Sequence, residues 1–267
     1  MATEPSATTS APTLAIGVDV GGSGIKVGLV DVAKGELVAP RLRVPTPLPS
    51  TPANIVKAIA RTVTRAIKQV GGVPSNTPVG VGVPSVAIDG VTRSAANIDP
   101  GWIDFDAGRA LKTALKRPVL VLNDADAAGL AEMRFGAGAG EPGVVLVLTL
   151  GTGVGSGLFN DGVLVPNTEL GHMEIRGRDA ERRSAAAART RRGLSWKAWA
   201  TDLDEHLEAI DKLFSPNLII LGGGVSKQPE KFIPRLTIRP RVVPALLRND
   251  AGIVGAAMAA AETASAG

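Results

Sequence analysis

The chain has 267 residues, enough for one large domain or two of about 130 residues each. With 45% hydrophobic and 20% charged residues it has ample core material, but only 3% is aromatic and there is no tyrosine, which argues against stacking as a mode of ligand binding. Zero cysteine excludes disulfides, thiolate catalysis and a cysteine-bound zinc site, and the net charge of +4 arises from 29 basic against 25 acidic residues.

Residues 1–13 are small and polar and lack a signal-peptide pattern, so they are expected to form a disordered tail. No apolar run approaches the ~20 residues that span a bilayer. Together with the missing cysteine, this points to a cytoplasmic protein with no membrane partner. Leu14 to Val20 and Ile25 to Val30 read as strands joined by the glycine turn Asp19-Val20-Gly21-Gly22-Ser23-Gly24, and Glu36 to Val44 extends them as a meander. Thr51 and Pro52 read as the N-cap and first residue of a helix. That helix carries Val56, Ile59, Val63, Ile67 and Val70 on one face, and Lys57, Arg61, Arg65 and Lys68 on another.

Short apolar strands at Val79 to Val83 and Pro118 to Leu122, with a helix from Phe105 to Leu115 between them, predict parallel pairing. Asn123-Asp124-Ala125-Asp126 then reads as a strand end that opens a helix at an Asp cap. The run Gly136 to Gly140 is the expected hinge between two halves, 14–136 and 137–250. The second half opens with its own glycine-turn hairpin, Thr149-Leu150-Gly151-Thr152-Gly153-Val154-Gly155. Between Arg176 and Arg192 stand seven arginines and two acids, either a solvated face or a track for an extended anion. Ser195 caps a helix striped by Trp199, Leu203, Leu207, Ile210 and Phe214, on whose polar face His206 is expected. A strand from Asn217 to Leu221 leads into Gly222-Gly223-Gly224 and a further helix. The small-residue helix 251–267 is expected to cross back to the first half.

Glycine can take positive φ and has no side chain to bar a phosphate from the backbone amides, so each turn can aim N–H groups at anionic oxygens. Neither turn has the P-loop or the dinucleotide-fold spacing. Their recurrence predicts two related domains gripping one polyphosphate from both sides.

The motifs in order are specific. Asp19 to Lys26, Asn123-Asp124-Ala125, Leu148 to Gly157, Glu169-Leu170-Gly171-His172 and Leu221 to Ser226 resemble the phosphate, catalytic, second phosphate, sugar and adenosine motifs of the ROK group of sugar kinases. The resemblance implies an α/β fold of two actin-like (ribonuclease H-like) domains of the hexokinase superfamily, with a cleft between them. Within the group the chain is most similar to the polyphosphate glucokinases, including the variety that also accepts mannose.

What the resemblance implies is phosphorylation of the 6-hydroxyl of glucose or mannose, with polyphosphate and ATP as donors. Asp124 is the expected base, a helix N-cap being its alternative role, and Asp126 is expected to cap locally. Asn97, Asn123, Glu169, His172 and Glu181 are the implied sugar contacts. Gly21, Gly22, Ser23, Gly24, Gly151, Thr152, Gly153, Gly222, Gly223 and Gly224 are the implied phosphate and nucleotide contacts. Lys26 either joins them or is a solvated strand lysine. Asp19 is implied to orient Mg²⁺ through water. Where most of the family carries a zinc-binding cysteine cluster, this chain has Arg176-Gly177-Arg178-Asp179, so zinc is expected to be absent. A homodimer is implied, and no nucleic-acid partner. A sugar-responsive repressor needs a DNA-binding module ahead of the first strand. The alternatives are a strictly ATP-dependent ROK hexokinase and a polyphosphate or ATP phosphohydrolase with no use for Asn97, Glu169 and His172.

Overall fold

The computed structural model describes residues 13–95 and 98–266. The expected N-terminal tail, apart from Thr13, lies outside these residues, as does Asn97.

The chain begins with the hairpin β1 (Leu14–Gly21) and β2 (Gly24–Asp31), followed by β3 (Glu36–Leu37) and β4 (Leu42–Val44), which both pair with β2 in place of one continuous meander strand. Helix α1 (Pro52–Gln69) starts at Thr51, whose hydroxyl accepts the Asn54 N–H. Its buried stripe is Ile55, Ile59, Thr62, Val63 and Ala66, so Val56 and Ile67 lie at the margin of the core. The basic face of Lys57, Arg61, Arg65 and Lys68 is exposed.

After β5 (Val79–Val83) comes a small antiparallel sheet of β6 (Ala87–Ile88), β7 (Val91–Thr92) and β8 (Phe105–Asp106). The expected helix from Phe105 therefore begins later, as α2 (Ala107–Leu115). Asp106 accepts the Arg109 N–H as its N-cap, while Phe105 pairs with Thr92. Strand β9 (Val119–Asn123) runs into α3 (Asp124–Phe135). The first sheet has the order β3-β2-β1-β5-β9, antiparallel at the hairpin and parallel from β1 onward.

The second sheet repeats that plan. Hairpin β10 (Val144–Leu150) and β11 (Val154–Asn160) is followed by β12 (Val163–Val165) on β11. Then come the short pair β13 (Glu174–Ile175) and β14 (Arg178–Asp179), and helices α4 (Glu181–Ser184), α5 (Ala186–Arg191) and α6 (Trp196–Phe214). Strands β15 (Leu218–Gly223) and β16 (Arg241–Pro244) complete the order β12-β11-β10-β15-β16, with β15 parallel to β10 and β16 parallel to β15. The helix expected after Gly224 is replaced by three short 3₁₀ turns between Gly224 and Arg235. Pro229 and Pro234 there lack the N–H donors that an α-helix interior requires.

Helix α7 (Ala251–Ala266) lies on β1 and β5 of the first sheet and against α3. Glycines make that approach possible: a Cβ on Gly17 or Gly80 would overlap the Ile253 or Ala256 carbonyl, and one on Gly255 the Ala127 carbonyl. The buried Glu132 of α3 ties together the segments entering and leaving the second sheet. It accepts N–H groups from Ala137 (3.0 Å), Leu246 (3.1 Å) and Leu247 (2.7 Å). Among the described residues no helix is long and apolar enough to cross a membrane.

Candidate active site

Both glycine turns face one cleft, lined by Asp19, Gly21, Gly22 and Lys26 on one side and by Thr149, Gly151, Thr152, Gly153 and Gly155 on the other. Positive φ is not what glycine supplies here. None of these glycines adopts it, whereas Gly22 and Gly151 have open space where a Cβ would point, which leaves the backbone accessible to a ligand. Gly223 reaches the same cleft at φ 84°. Ser23, Gly24, Gly222 and Gly224 are not among the lining residues: the Ser23 carbonyl accepts Arg43 (3.0 Å), and the Arg43 guanidinium covers Gly24.

Asp124 stands at the carboxyl end of β9, where α3 begins. The N-cap is Asn123 rather than an aspartate, because its Oδ1 accepts the N–H groups of Ala125 (2.8 Å) and Asp126 (3.1 Å). That leaves Asp124 free of capping, with its side chain lining the cleft. Burial first, and then the charge of Asp19, push its carboxyl up to about 8. Asp126 does not cap either. It is buried, its Oδ2 accepts the Asn167 N–H (2.7 Å), and burial raises its carboxyl to about 7.

Glu169, His172 and Glu181 line the end of the cleft next to Asn123 and Asp124. Asn123 Nδ2 donates to Glu169 Oε1 and to the Ser85 carbonyl, both at 3.3 Å. Burial raises the Glu169 carboxyl, opposed by nearby His172. His172 Nδ1 lies 3.3 Å from Asp179, and Glu181 Oε2 accepts the Val154 N–H (2.9 Å), fixing α4 to the second hairpin.

His206 is buried, not on a polar face. Burial lowers its pKa and favours the neutral ring, so Nε2–H donates to the Leu170 carbonyl (3.0 Å) and Nδ1 accepts from the Ser184 hydroxyl (2.9 Å).

The arginine segment divides into two groups. Arg176 and Arg183 pair with Glu205, and Arg183 and Arg192 pair with Asp202, all on α6. Arg178, Arg182, Arg189 and Arg191 have no carboxylate partner among the described residues. Arg189 stacks over Trp196 at 3.9 Å, and Arg191 donates to the Arg182 carbonyl. The segment adjoins the second glycine turn, since Ala187 N–H donates to the Gly151 carbonyl (3.0 Å).

A model of the ROK family matches residues 15–189. The chain belongs to the ROK family. It is 46% identical over 244 residues to a polyphosphate glucokinase of Mycobacterium tuberculosis, covering 91% of this chain and 89% of that one. It is similar to the crystal structure of an inorganic polyphosphate/ATP-glucomannokinase from Arthrobacter sp., at 50% identity and TM-score 0.92, covering 94% and 100% of the two chains. A ROK family glucokinase from Streptomyces griseus, solved with glucose and AMPPNP, aligns at 26% identity and TM-score 0.81 over 93% and 99%. The mixed α/β chain thus has the two-domain, actin-like fold of the ROK sugar kinases.

Three polar cleft residues of this ROK chain escaped the sequence reading, Ser94, Arg248 and Asn249. Arg248 and Asn249 line the cleft just before α7, whose Gly252 lies close against Asp19. The one signal in the sequence was their place ahead of the small-residue helix. Among the described residues no cluster of three or more histidines and carboxylates is placed to hold a metal. The carboxylate beside the first glycine turn is Asp19, whose Oδ2 accepts from Lys26 (2.7 Å).

Proposed function

We propose that the protein transfers a phosphoryl group to the 6-hydroxyl of glucose, and of mannose, from inorganic polyphosphate and from ATP. The observation that carries this reading is Asp124. A carboxylate with no capping duty lines the same cleft as the two open glycine turns and as Glu169 and His172. A sugar hydroxyl is a poor nucleophile, so a base must take its proton as the new P–O bond forms. Asp124 accepts the 6-hydroxyl proton, the sugar oxygen bonds to the terminal phosphorus, and the bond to the donor breaks. The donor leaves one phosphate shorter.

Glu169, His172, Glu181, Asn123 and Asn97 are assigned to the sugar, for their carboxylates, imidazole and amides suit hydroxyls that both donate and accept. Asn123 is committed at Oδ1 to the helix cap and at Nδ2 to Glu169 and Ser85, so it meets a sugar hydroxyl only by exchanging one of those 3.3 Å bonds. The amides of Gly21, Gly22, Thr152 and Gly153 are assigned to the phosphates, while that of Gly151 donates to the Gly153 carbonyl (2.9 Å) and shapes the turn. Lys26 is held by Asp19 at 2.7 Å, which assigns it to charge balance in the cleft. Mg²⁺ fits this donor set: it prefers one or two carboxylates plus phosphate oxygens, and Asp19 would hold it. When bound, it neutralises charge on the transferring phosphates.

The polyphosphate reading is supported by the Mycobacterium and Arthrobacter relatives and by the uncompensated arginines of the segment whose Ala187 bonds Gly151. The commitment of Arg176, Arg183 and Arg192 to α6 favours a second reading, strict ATP dependence. Long-chain polyphosphate, glucose and Mg²⁺ without nucleotide separate the two. Glucose 6-phosphate is the expected product. Product with ATP alone would leave the second reading, and phosphate release that needs no sugar would overturn both.

A further inference from the structure

Asn167 lies outside every motif, two residues before Glu169, with a left-handed backbone (φ 60°) of the kind asparagine and glycine tolerate. From there its side chain crosses to the small sheet that follows β5. The Ala87 N–H donates to Asn167 Oδ1 (2.9 Å), and Asn167 Nδ2 donates to the Ala87 carbonyl (3.1 Å). An amide used in this way supplies the same donor and acceptor that a neighbouring strand residue would.

The backbone around Asn167 is anchored from its own side. Its N–H donates to Asp126 Oδ2, the Ser156 hydroxyl bonds the Thr168 carbonyl and accepts the Leu170 N–H (3.0 Å), and His206 holds the Leu170 carbonyl. The segment carrying Glu169 and His172 is thus fixed to the second sheet. It meets the 85–87 stretch through two amides: Asn123, through hydrogen bonds of 3.3 Å, and Asn167, through the shorter pair.

We propose that Asn167 is a positioning residue for the sugar, a clasp that holds the Glu169–His172 segment against β6 so that these side chains meet a hexose already in place. The inference rests on the assignment of Glu169 and His172 to the sugar. Without the clasp, a hexose must order the segment as it binds, which weakens sugar binding. The phosphate turns make no bond to Asn167 and are unaffected.

Two variants test this. N167G keeps the left-handed backbone and removes the amide, whereas N167D keeps the shape but turns an oxygen toward the Ala87 carbonyl. Both should raise the glucose KM by at least about tenfold and leave the donor KM and the kcat at saturating glucose within about threefold, the pattern of lost ground-state binding. A glucose KM within about twofold of wild type in either folded variant overturns the clasp. So does a parallel rise in donor KM with a fall in kcat, which is the mark of general loosening. Melting curves taken alongside identify a misfolded variant, and the isosteric N167D then decides. Wild type phosphorylating no hexose would overturn the sugar-kinase reading itself, whereas normal turnover with an unmoved KM in the variants removes only the clasp.

Discussion

Lys26 Nζ lies 2.7 Å from Asp19 Oδ2, and the two residues are directly opposite each other in the first hairpin. The ion pair stands in the field that acts on Asp124, whose carboxyl is raised to about 8 by burial and then by Asp19. A general base acts only when ionised, so kcat/KM for glucose should climb with pH and level off above about pH 8. Lys26→Met removes the cation that offsets Asp19 and should move the midpoint upward. Steady-state pH profiles of both proteins check the direction, and a downward move would contradict the proposed coupling.

Asp124→Asn keeps the shape and hydrogen-bonding capacity of the side chain but cannot accept the proton. Its kcat should fall by roughly 10²–10⁴ with either donor. Glucose affinity measured by calorimetry should change little, because Asn123, Glu169 and His172 remain.

Asp126 and Asp124 both hold their protons more tightly when folded than a carboxyl in the unfolded chain does. Between about pH 4 and their folded values near 7 and 8, the unfolded chain has released these protons and the folded one has not. Their contribution to stability is therefore full at low pH and lost as pH rises through this window. Asp126→Asn keeps an acceptor for the Asn167 N–H and abolishes one of the two titrations. Denaturant unfolding at pH 5 and pH 8 should show a smaller loss of stability for this variant than for wild type.

Substituting Arg182, Arg189 and Arg191 together by alanine should raise the polyphosphate KM and flatten its dependence on salt, because fewer cations meet the phosphate chain. The ATP KM should move little. Arg183→Ala should instead lower stability, by about 1–3 kcal/mol, since Asp202 and Glu205 lose a charged donor. Kinetics at two salt concentrations and urea unfolding distinguish the two classes of arginine.

The hairpins, α1, α6 and the junction of β9 with α3 were legible because their signals are local: alternation, a glycine turn, a Thr-Pro or Ser cap. Residues that act through tertiary pairing were not. His206 sits next to Glu205 and reads as polar surface, yet it turns inward to satisfy Leu170 and Ser184. The arginine run reads as free charge because Asp202 and Glu205, which neutralise part of it, lie on a different helix. Asn123 and Asp124 both suit a cap, and only the observed bonds to Ala125 and Asp126 assign it to Asn123, leaving the carboxylate for chemistry.

The three N–H groups gathered by Glu132 come from the two places where the chain passes between the sheets. A single carboxylate therefore staples both crossings to α3: a residue without an acceptor at this position would strand three N–H groups at once and loosen both crossings together.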